Sequence, residues 1–177
     1  IKVSTISPLG TDATKTITIG SAGDTAAGLF TNVPAFEAYL SSDTTISNTT
    51  NTKVQPDTEV FDTDNCYDNS TNYRFTPTVA GKYFVYGTVS FSSSDFHVQQ
   101  YIAYIYKNGS VYRRNNHYLE TSKFSTVATG NVQAIIDMNG STDYVELFCL
   151  TRYSSGTPNI ESSTKSTYFG AYRLIGA

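Results

Sequence analysis

Acidic side chains form the densest group of residues in this sequence that could carry out chemistry. Asp57 and Glu59 stand two residues apart, and Asp62 and Asp64 repeat that spacing. Paired carboxylates are what glycoside hydrolysis requires, one as the acid and the other as base or nucleophile. Carboxylates this close together in a polar segment are more often solvated loop charges. We therefore expect no hydrolytic centre here and predict that the chain is not an enzyme.

The same segment is also the richest cluster of oxygen ligands for a metal ion. Within 62-DTDNCYDN-69, the carboxylates of Asp62, Asp64 and Asp68 could bind Ca²⁺. The spacing is not that of an EF-hand loop, because Cys66 occupies the fifth position and the glycine is missing. Calcium stays an open alternative with no ligand assigned, and no other cofactor is expected.

Histidine and cysteine give little support to nucleophilic catalysis. The chain has no G-x-S-x-G motif, and both histidines, His97 and His117, stand in polar, strand-like contexts typical of exposed residues. Cys149 lies in the apolar run 147-LFCL-150 and is expected to be buried, whereas Cys66 lies in a turn-like segment. Whether the two are bridged stays open, and two cysteines are too few for a disulfide-built scaffold.

The segment 112-YRRNNHY-118 is the most suggestive binding surface by composition. Aromatic faces stack on sugars, and Asn and Arg side chains donate hydrogen bonds. The segment also contains the only adjacent pair of basic residues in the chain. We therefore predict a ligand-binding surface here, with an ordinary polar edge strand as the alternative. Its residues are Tyr112, Arg113, Arg114, Asn115 and Asn116.

Composition excludes several classes of protein. The 177 residues carry a formal charge of −3, which gives no basic footprint for nucleic acid. No run approaches the roughly 20 apolar residues of a membrane helix, so we expect no membrane insertion. The chain begins with Ile1 rather than Met, and we expect it to belong to a longer or processed polypeptide. Tyrosine (14) and phenylalanine (10) are abundant and tryptophan is absent, a mixture that favours strands over helices.

Short strands separated by turn signals account for most of the chain after residue 32. Asn108-Gly109 predicts a tight hairpin, because Asn and Gly adopt positive φ cheaply. No segment has a helical period over three turns, so the pattern predicts an all-β sandwich or barrel. The candidate strands are 33–40, 53–61, 73–76, 81–91, 97–107, 110–118, 124–137, 142–152 and 166–175.

Several of these strands have apolar residues on both faces. In 81-GKYFVYGTVSF-91, Tyr83 and Val85 share one face, but Phe84 and Tyr86 lie on the other. The strands 101-YIAYIY-106 and 168-YFGAYRLI-175 repeat this feature, with Ile175 placed beside Phe169 and Ala171. A sandwich needs only one apolar face per sheet. The second faces therefore require a cover, and another copy of the chain is the simplest one.

Four segments form a combined pattern of an aromatic strand after a Pro–Gly turn, a Lys-Asn-Gly hairpin, an apolar strand after a turn and a last strand with a Ser-Thr-aromatic start. They are 75-FTPTVAGKYFVYGTVSF-91, 104-YIYKNG-109, 135-IIDMNGSTDYVELF-148 and 166-STYFGAYRL-174. This pattern resembles the globular head of complement C1q and its relatives in the C1q/TNF superfamily. The early 35-AFEAYL-40 is similar to the family's first strand, and 60-VFDTDNCYDNSTNYRF-75 is similar to the stretch before its Pro–Gly turn. The resemblance extends over residues 33–177.

The resemblance implies a ten-stranded jelly-roll sandwich that assembles as a compact homotrimer, with one sheet of each subunit lining the three-fold axis. On this analogy, the face of Tyr83 and Val85 fills the core. The face of Phe84 and Tyr86 meets neighbouring subunits, and Tyr168 joins that contact.

Residues 1–32 differ from the rest, because short alternating stretches are broken by Gly, Ser and Asp. We predict a β-rich connector or stalk, with a flexible tail as the alternative. The segment 17-ITIGSAGDTA-26 before such a head resembles connectors in bacteriophage tail-fibre and other virion proteins.

The function expected from this resemblance is that of a non-enzymatic virion structural protein, assembled in the host cytoplasm. It would be the trimeric head of a bacteriophage fibre, used for adhesion or recognition of a host-surface glycan or protein. Its other partners would be itself and further virion proteins. A purely structural trimerisation or capsid-decoration module, an extracellular C1q-like lectin and a glycan-cleaving enzyme are the alternatives.

Overall fold

The structure is a computed structural model that describes residues 33–92, 98–119 and 127–175. In these ranges it contains strands and a single 3₁₀ turn, Ser163–Lys165, with no helix long and apolar enough to cross a membrane. The predicted connector, residues 1–32, and His97 lie outside the described residues. The strands are β1 Ala35–Tyr39, β2 Thr44–Thr45, β3 Thr52–Lys53, β4 Thr58–Asp62, β5 Tyr67–Asp68, β6 Arg74–Phe75, β7 Gly81–Ser92, β8 Val98–Lys107, β9 Ser110–Tyr118, β10 Val127–Met138, β11 Val145–Tyr153, β12 Asn159–Ile160 and β13 Tyr168–Arg173.

Ten of these strands form two antiparallel five-stranded sheets. The first, called here the β7 sheet, has the order β4-β1-β13-β7-β10. The second, the β8 sheet, has the order β5-β6-β11-β8-β9. The two-residue strands β2, β3 and β12 extend them, since β12 pairs with β2 and β7 while β3 pairs with β11. This is the all-β jelly-roll sandwich that the sequence predicts.

The core lies between the two sheets and follows from the two-residue period of the strands. Along β10 every second residue is buried, from Ala128 to Met138. Four aromatic rings pack at one end of the core. Phe36 is central to them: its ring centroid lies 4.3 Å from that of Tyr67, 4.7 Å from Phe75 and 5.2 Å from Phe169. The buried Tyr67 hydroxyl donates a hydrogen bond to the Pro56 carbonyl at 2.8 Å, so this polar group is not left unsatisfied in the core.

The predicted Asn-Gly hairpin joins β8 and β9, and it is tied to the turn before β11. Asn108 and Gly109 have φ of 51° and 76°, the geometry of a tight two-residue loop. The Asn108 side chain donates to Asp143 at 2.8 Å and accepts from the Tyr144 backbone N–H at 2.9 Å. Asp143 also forms an ion pair with Lys107 at 2.9 Å. These contacts fix the β8–β9 turn and the turn before β11 against each other.

Each of the nine predicted strands overlaps an observed strand, but details differ. The span 53–61 is interrupted around Pro56, which has no N–H for a ladder, and the two-residue strands β2, β5 and β12 lack any sequence period. Ile175, predicted to share a face with Phe169 and Ala171, is exposed, because β13 already ends at Arg173. Cys66 and Cys149 are both free and buried.

The second face of β8 needs no neighbouring chain, which corrects the expectation for 101–106. Ile102 and Tyr104 are buried within one copy. Tyr106 helps to cover this face, since its ring stacks on Phe148 at 4.1 Å and meets Tyr104 edge-on at 5.9 Å. The unmatched aromatic face that remains is that of the β7 sheet.

Candidate subunit interface and binding groove

The outward face of the β7 sheet carries a continuous group of aromatic rings. Tyr83 and Val85 point into the core and are fully buried, whereas Phe84 and Tyr86 point outward, as the alternation predicts. The Phe84 ring centroid lies 5.9 Å from that of Tyr86 and 5.5 Å from that of Tyr172 on β13. The ring of Tyr168 meets Tyr86 edge-on at 6.3 Å. The three predicted interface residues, Phe84, Tyr86 and Tyr168, therefore lie together.

The strand register explains why these rings meet. In an antiparallel sheet, directly opposed residues share a face. One row across the sheet contains Tyr172, Phe84 and Ile135, and the next contains Phe61, Glu37, Gly170, Tyr86 and Gln133. The Tyr86 hydroxyl donates to Glu37 Oε2 at 2.8 Å. Loss of solvent around the phenol raises the pKa of Tyr86, and the bond to Glu37 adds to this effect.

This face is the most apolar exposed surface in the described part of the chain. The described residues include nine exposed large hydrophobic side chains, and five of them lie on this outward face of the β7 sheet. They include Ile135, which is 54 % exposed, and Phe61, which is 44 % exposed. Exposed apolar groups that are contiguous mark interaction surfaces, whereas scattered ones need no explanation. The five are Val60, Phe61, Val127, Ile135 and Tyr172.

A groove of about 710 Å³ runs along one side of this face. One wall contains the rings of Phe84, Tyr86 and Tyr168, and the other is formed by β9. The structure thus places three of the predicted ligand-binding residues beside the three predicted interface residues. The sequence analysis assigned these two sets of residues to separate surfaces. The β9 residues of the wall are Arg113, Arg114 and Asn115.

Two side-chain hydrogen bonds hold β9 against the edge of β10 and so close the far wall of the groove. The Asn115 amide donates to the Asn131 carbonyl at 2.9 Å, and the Tyr112 hydroxyl donates to the Ile135 carbonyl at 3.2 Å. The β10 edge that does not face β7 is therefore partly capped, which limits uncontrolled strand pairing. Tyr112 thus supports the groove, whereas Asn116 accepts from Gln100 at 2.9 Å and does not line it.

Sequence reasoning missed the groove residues on β10 and the acid on β1. Asn131 and Gln133 line the groove, and Glu37 holds Tyr86. The signal for the first two was available, because β10 alternates strictly and its odd-numbered residues must point away from the core. No local signal marked Glu37, because its contact with Tyr86 depends on the pairing of distant strands.

The acidic residues considered for catalysis or metal binding are held by separate hydrogen bonds. Asp57 accepts from the backbone N–H and the hydroxyl of Ser41, at 2.8 and 2.6 Å. Asp62 accepts from the Tyr67 N–H at 2.8 Å, and Asp64 accepts from the Thr78 hydroxyl. Glu59 is exposed at the sheet edge.

The third carboxylate considered for Ca²⁺ binds its own loop. Asp68 accepts from the backbone N–H groups of Ser70, Thr71 and Asn72. Among the residues that the structure describes, no three His, Cys, Asp or Glu side chains are grouped in a way that could hold a metal ion. His117 stacks on Tyr101, with ring centroids 4.8 Å apart.

Comparison with known proteins identifies the fold. No family model and no curated protein matches the chain. A crystal structure of murine APRIL at pH 5.0 is 12 % identical, with a TM-score of 0.59 over 81 % of this chain and 100 % of that one. An Eiger TNF from S. frugiperda is 9 % identical, with a TM-score of 0.59 over 82 % of this chain and 93 % of that one. These similarities confirm a TNF-like jelly roll, and at such identities they concern the fold alone.

Proposed function

We propose that this chain is a non-enzymatic, homotrimeric C1q/TNF-like head that serves in recognition or adhesion at a host surface, as part of a bacteriophage virion. The observation that carries the proposal is the outward face of the β7 sheet. Five large apolar side chains are exposed on it, beside the half-buried rings of Phe84, Tyr86 and Tyr168. Such a face requires a cover in water, and the resemblance to C1q-like heads supplies one in two further copies of the chain.

Energetics favours assembly through this face. Burying a large apolar side chain stabilises by roughly 1.5–3 kcal/mol. Association costs roughly 4–15 kcal/mol in lost freedom of motion. One ring could not offset that cost, but a sheet face with several rings and branched side chains can. Obligate interfaces are more apolar than transient ones, and the exposed rings and branched side chains of this face favour the obligate class.

The recognition role then belongs to surfaces that a trimer leaves free. With the β7 sheet turned towards the axis, the β8 sheet faces outward. There Tyr118, 73 % exposed, lines a hollow of about 280 Å³ with Arg152, Gln99 and Gln100. An exposed ring flanked by amide and guanidinium donors suits a glycan. Three weak sites in one trimer would raise avidity without tighter individual contacts.

The virion setting rests on the sequence of residues 1–32, which resembles bacteriophage connectors. In that setting the chain is assembled in the host cytoplasm and leaves in the particle. Its partners are its own copies, further virion proteins and a host-surface glycan or protein. Binding of the purified chain to intact host cells, abolished by Tyr118→Ala and Arg152→Ala together, would support recognition. A trimer that binds no cell surface would instead support the purely structural role.

Molar mass in solution, measured by light scattering, tests the assembly directly. We expect three chain masses for the wild type and one for Phe84→Asp, because a carboxylate cannot be buried unpaired among rings. Tyr118→Asp is the matched control, since it places the same charge on the opposite side of the sandwich, and it should remain trimeric. A monomeric wild-type chain would overturn the proposal.

A further inference from the structure

We infer that the hollow beside Tyr118 binds a sugar that bears a carboxylate, with the sugar ring on the phenol of Tyr118 and the carboxylate on the guanidinium of Arg152. The inference rests on the proposed recognition role of the β8 sheet. It adds the chemical class of the ligand, an acidic sugar such as a hexuronic or sialic acid, and the part that each side chain takes in holding it.

The strand register places the main side chains of this hollow in one row across the β8 sheet. Gln100 on β8 is directly opposite Tyr118 on β9 and directly opposite Arg152 on β11. Directly opposed residues of an antiparallel pair share a face. The ring and the guanidinium therefore flank the amide of Gln100 on the same face, from strands roughly 10 Å apart, so that one ligand can contact all three.

A β-bulge adds a second amide to the hollow. The β8–β11 register shifts between Arg152 and Tyr153, so Gln100 is opposite Arg152, Val98 is opposite Tyr153, and Gln99 has no direct partner on β11. Val98 is buried in the core, whereas Gln99 and Gln100 both line the hollow. Bulges re-aim side chains and are frequent next to functional sites. Here the extra residue sets two amide side chains opposite one guanidinium.

The amide of Gln100 is held in one orientation by a neighbouring side chain. Its Nε2 donates to Oδ1 of Asn116 at 2.9 Å. Asn116 stands two residues before Tyr118 on β9, so the two side chains share a face. The carbonyl oxygen of Gln100 then remains available to accept a hydrogen bond from a sugar hydroxyl. Asn116, which the sequence predicts as a ligand-binding residue, is therefore a positioning residue for this hollow.

The charge around the hollow favours an anionic ligand. Strands β8, β9 and β11 contain a single acid, although the whole chain has a formal charge of −3. That acid, Glu146, is paired with Lys53 and stands six residues before Arg152 on β11, about 20 Å away. Arg152 is exposed and forms no ion pair among the described residues. The basic residues of the three strands are Lys107, Arg113, Arg114 and Arg152.

A carboxylate matches this hollow better than a phosphate. A guanidinium binds a carboxylate through two parallel N–H···O hydrogen bonds, and its single charge compensates that of the carboxylate. A phosphate monoester carries a charge of about −1.5 to −2 at pH 7, and the side chains that line the hollow include no cation besides Arg152. The excess charge of a phosphate would therefore stay uncompensated.

The exposed ring indicates that the carboxylate belongs to a sugar. Tyr118 is 73 % exposed, more than any other large hydrophobic side chain in the described residues. Its face is free to stack on the apolar face of a sugar ring. The volume of about 280 Å³ lies near the small end of the range for ligand pockets, roughly 300–1,000 Å³. The hollow thus suits a single sugar residue of a longer glycan.

Calorimetric titration of the purified wild-type chain tests the class of ligand. The probes are an oligosaccharide of glucuronic acid, a trisaccharide that ends in sialic acid, and the form of each with its carboxyl groups reduced to alcohols. We expect one acidic probe to bind at least about 10-fold more tightly than its reduced form, because the reduced form lacks the charged hydrogen bonds to Arg152. The probe that does so identifies the kind of acidic sugar. A sulfated glucose oligosaccharide should bind more weakly than that probe.

Variants of the hollow test the role of each side chain. Arg152→Gln should weaken binding of the acidic probe at least about 10-fold and leave that of the reduced probe unchanged. Arg152→Lys, which keeps the charge but loses the planar fork, should restore only part of the difference. Tyr118→Ala should weaken both probes alike, because stacking on the ring does not depend on the carboxylate.

Lys82→Gln is the matched control for loss of one positive charge. Lys82 pairs with Asp137, whose carbonyl accepts from Lys107, and Lys107 stands seven residues after Gln100 on β8. The substitution is therefore more than about 20 Å from the hollow, and it should leave the affinity for the acidic probe unchanged. Unchanged circular dichroism and light scattering of every variant show that neither the fold nor the assembly has been lost.

The possible results separate this inference from the proposed function. Equal affinities for the acidic and reduced probes overturn the inference and leave glycan recognition standing. An equal loss in Arg152→Gln and Lys82→Gln also overturns it, because the effect would then come from net charge alone. If no probe binds, the inference is wrong, and binding of the wild-type chain to intact host cells decides the proposed function. A chain that binds neither a probe nor a cell surface overturns both.

Discussion

The ring of Tyr86 lies directly over Gly170, its partner on the neighbouring strand β13. A Cβ at position 170 would collide with the Tyr86 ring carbons and hydroxyl. The glycine therefore allows the ring to lie across β13 and donate to Glu37 on β1, at 2.8 Å. One tyrosine thus spans three strands of the face proposed to bind neighbouring subunits.

Gly170→Ala should displace that ring without destroying the fold. The colliding atoms belong to the far end of a side chain, which can rotate away, so the Glu37 hydrogen bond is lost but the backbone stays. We expect the free energy of unfolding to fall by about 1–2 kcal/mol and the trimer to dissociate more readily. Urea denaturation and light scattering measure the two effects. Tyr86→Phe, which removes the hydrogen bond but keeps the ring, should lose stability and retain most of the assembly.

The fold could be predicted from the sequence because its longest strands alternate and end at recognisable turns. The residues 81–91 illustrate this: alternation alone assigns Tyr83 and Val85 to the core and Phe84 and Tyr86 to the outside, and both assignments are confirmed. Strands of two residues such as β12 have no period to detect. Their pairing depends on strand β7 extending past the start of β13.

The groove could be predicted only in part, because it joins two edges that are distant in sequence. Arg113 and Phe84 were each singled out, but for different surfaces. Nothing local indicates that β9 lies beside β10, which follows from the closure of the sandwich and from the Asn115–Asn131 contact. Burial of Tyr104 was missed for a similar reason, since the residue that stacks beside it, Tyr106, is itself held by Phe148 on β11.

Two glycines in Asn-Gly turns should differ sharply in their tolerance of alanine. Gly109 and Gly140 both have left-handed φ, +76° and +71°. A Cβ on Gly109 would meet only the Tyr144 hydroxyl at 3.5 Å, so Gly109→Ala should cost about 1–2 kcal/mol of backbone strain. A Cβ on Gly140 would collide with the backbone of Val79 and Ala80, which adds about 1–3 kcal/mol. Equal losses in urea denaturation would contradict this account.

An ion pair between β3 and β11, whose acid is nearly buried, predicts strong coupling between its two members. Lys53 Nζ lies 2.5 Å from Glu146 Oε1, and the Glu146 side chain is only 7 % exposed. Lys53→Met leaves that carboxylate without its partner, at a cost of about 3–5 kcal/mol. The double variant Lys53→Met/Glu146→Leu should lose much less than the single one. A thermodynamic cycle from urea denaturation checks this, and additive losses would show that the two residues act independently.

Acid should destabilise the fold through carboxylates whose ionised form is held by hydrogen bonds. The N–H of Thr71, followed by the Asn72 side chain and the N–H groups of Ser70 and Asn72, keeps the pKa of Asp68 well below its usual range. The bond from Asn108 and the nearby Lys107 lower the pKa of Asp143. A carboxyl whose folded pKa is depressed contributes stability above its unfolded pKa, about 4, and loses it as pH falls towards the folded value.

The free energy of unfolding should therefore be steady between about pH 5 and 7 and fall below about pH 4. Asp68→Asn should lower the stability at pH 7 and flatten this dependence, because its contribution no longer titrates. Arg152→Gln is the control, since Arg152 is exposed on the β8 sheet and its replacement removes a surface charge without removing a carboxylate, and it should leave the profile unchanged. Urea denaturation at a series of pH values measures both. A slope below pH 4 that is the same in Asp68→Asn and wild type would mean that the loop around Asp68 does not depend on its charge.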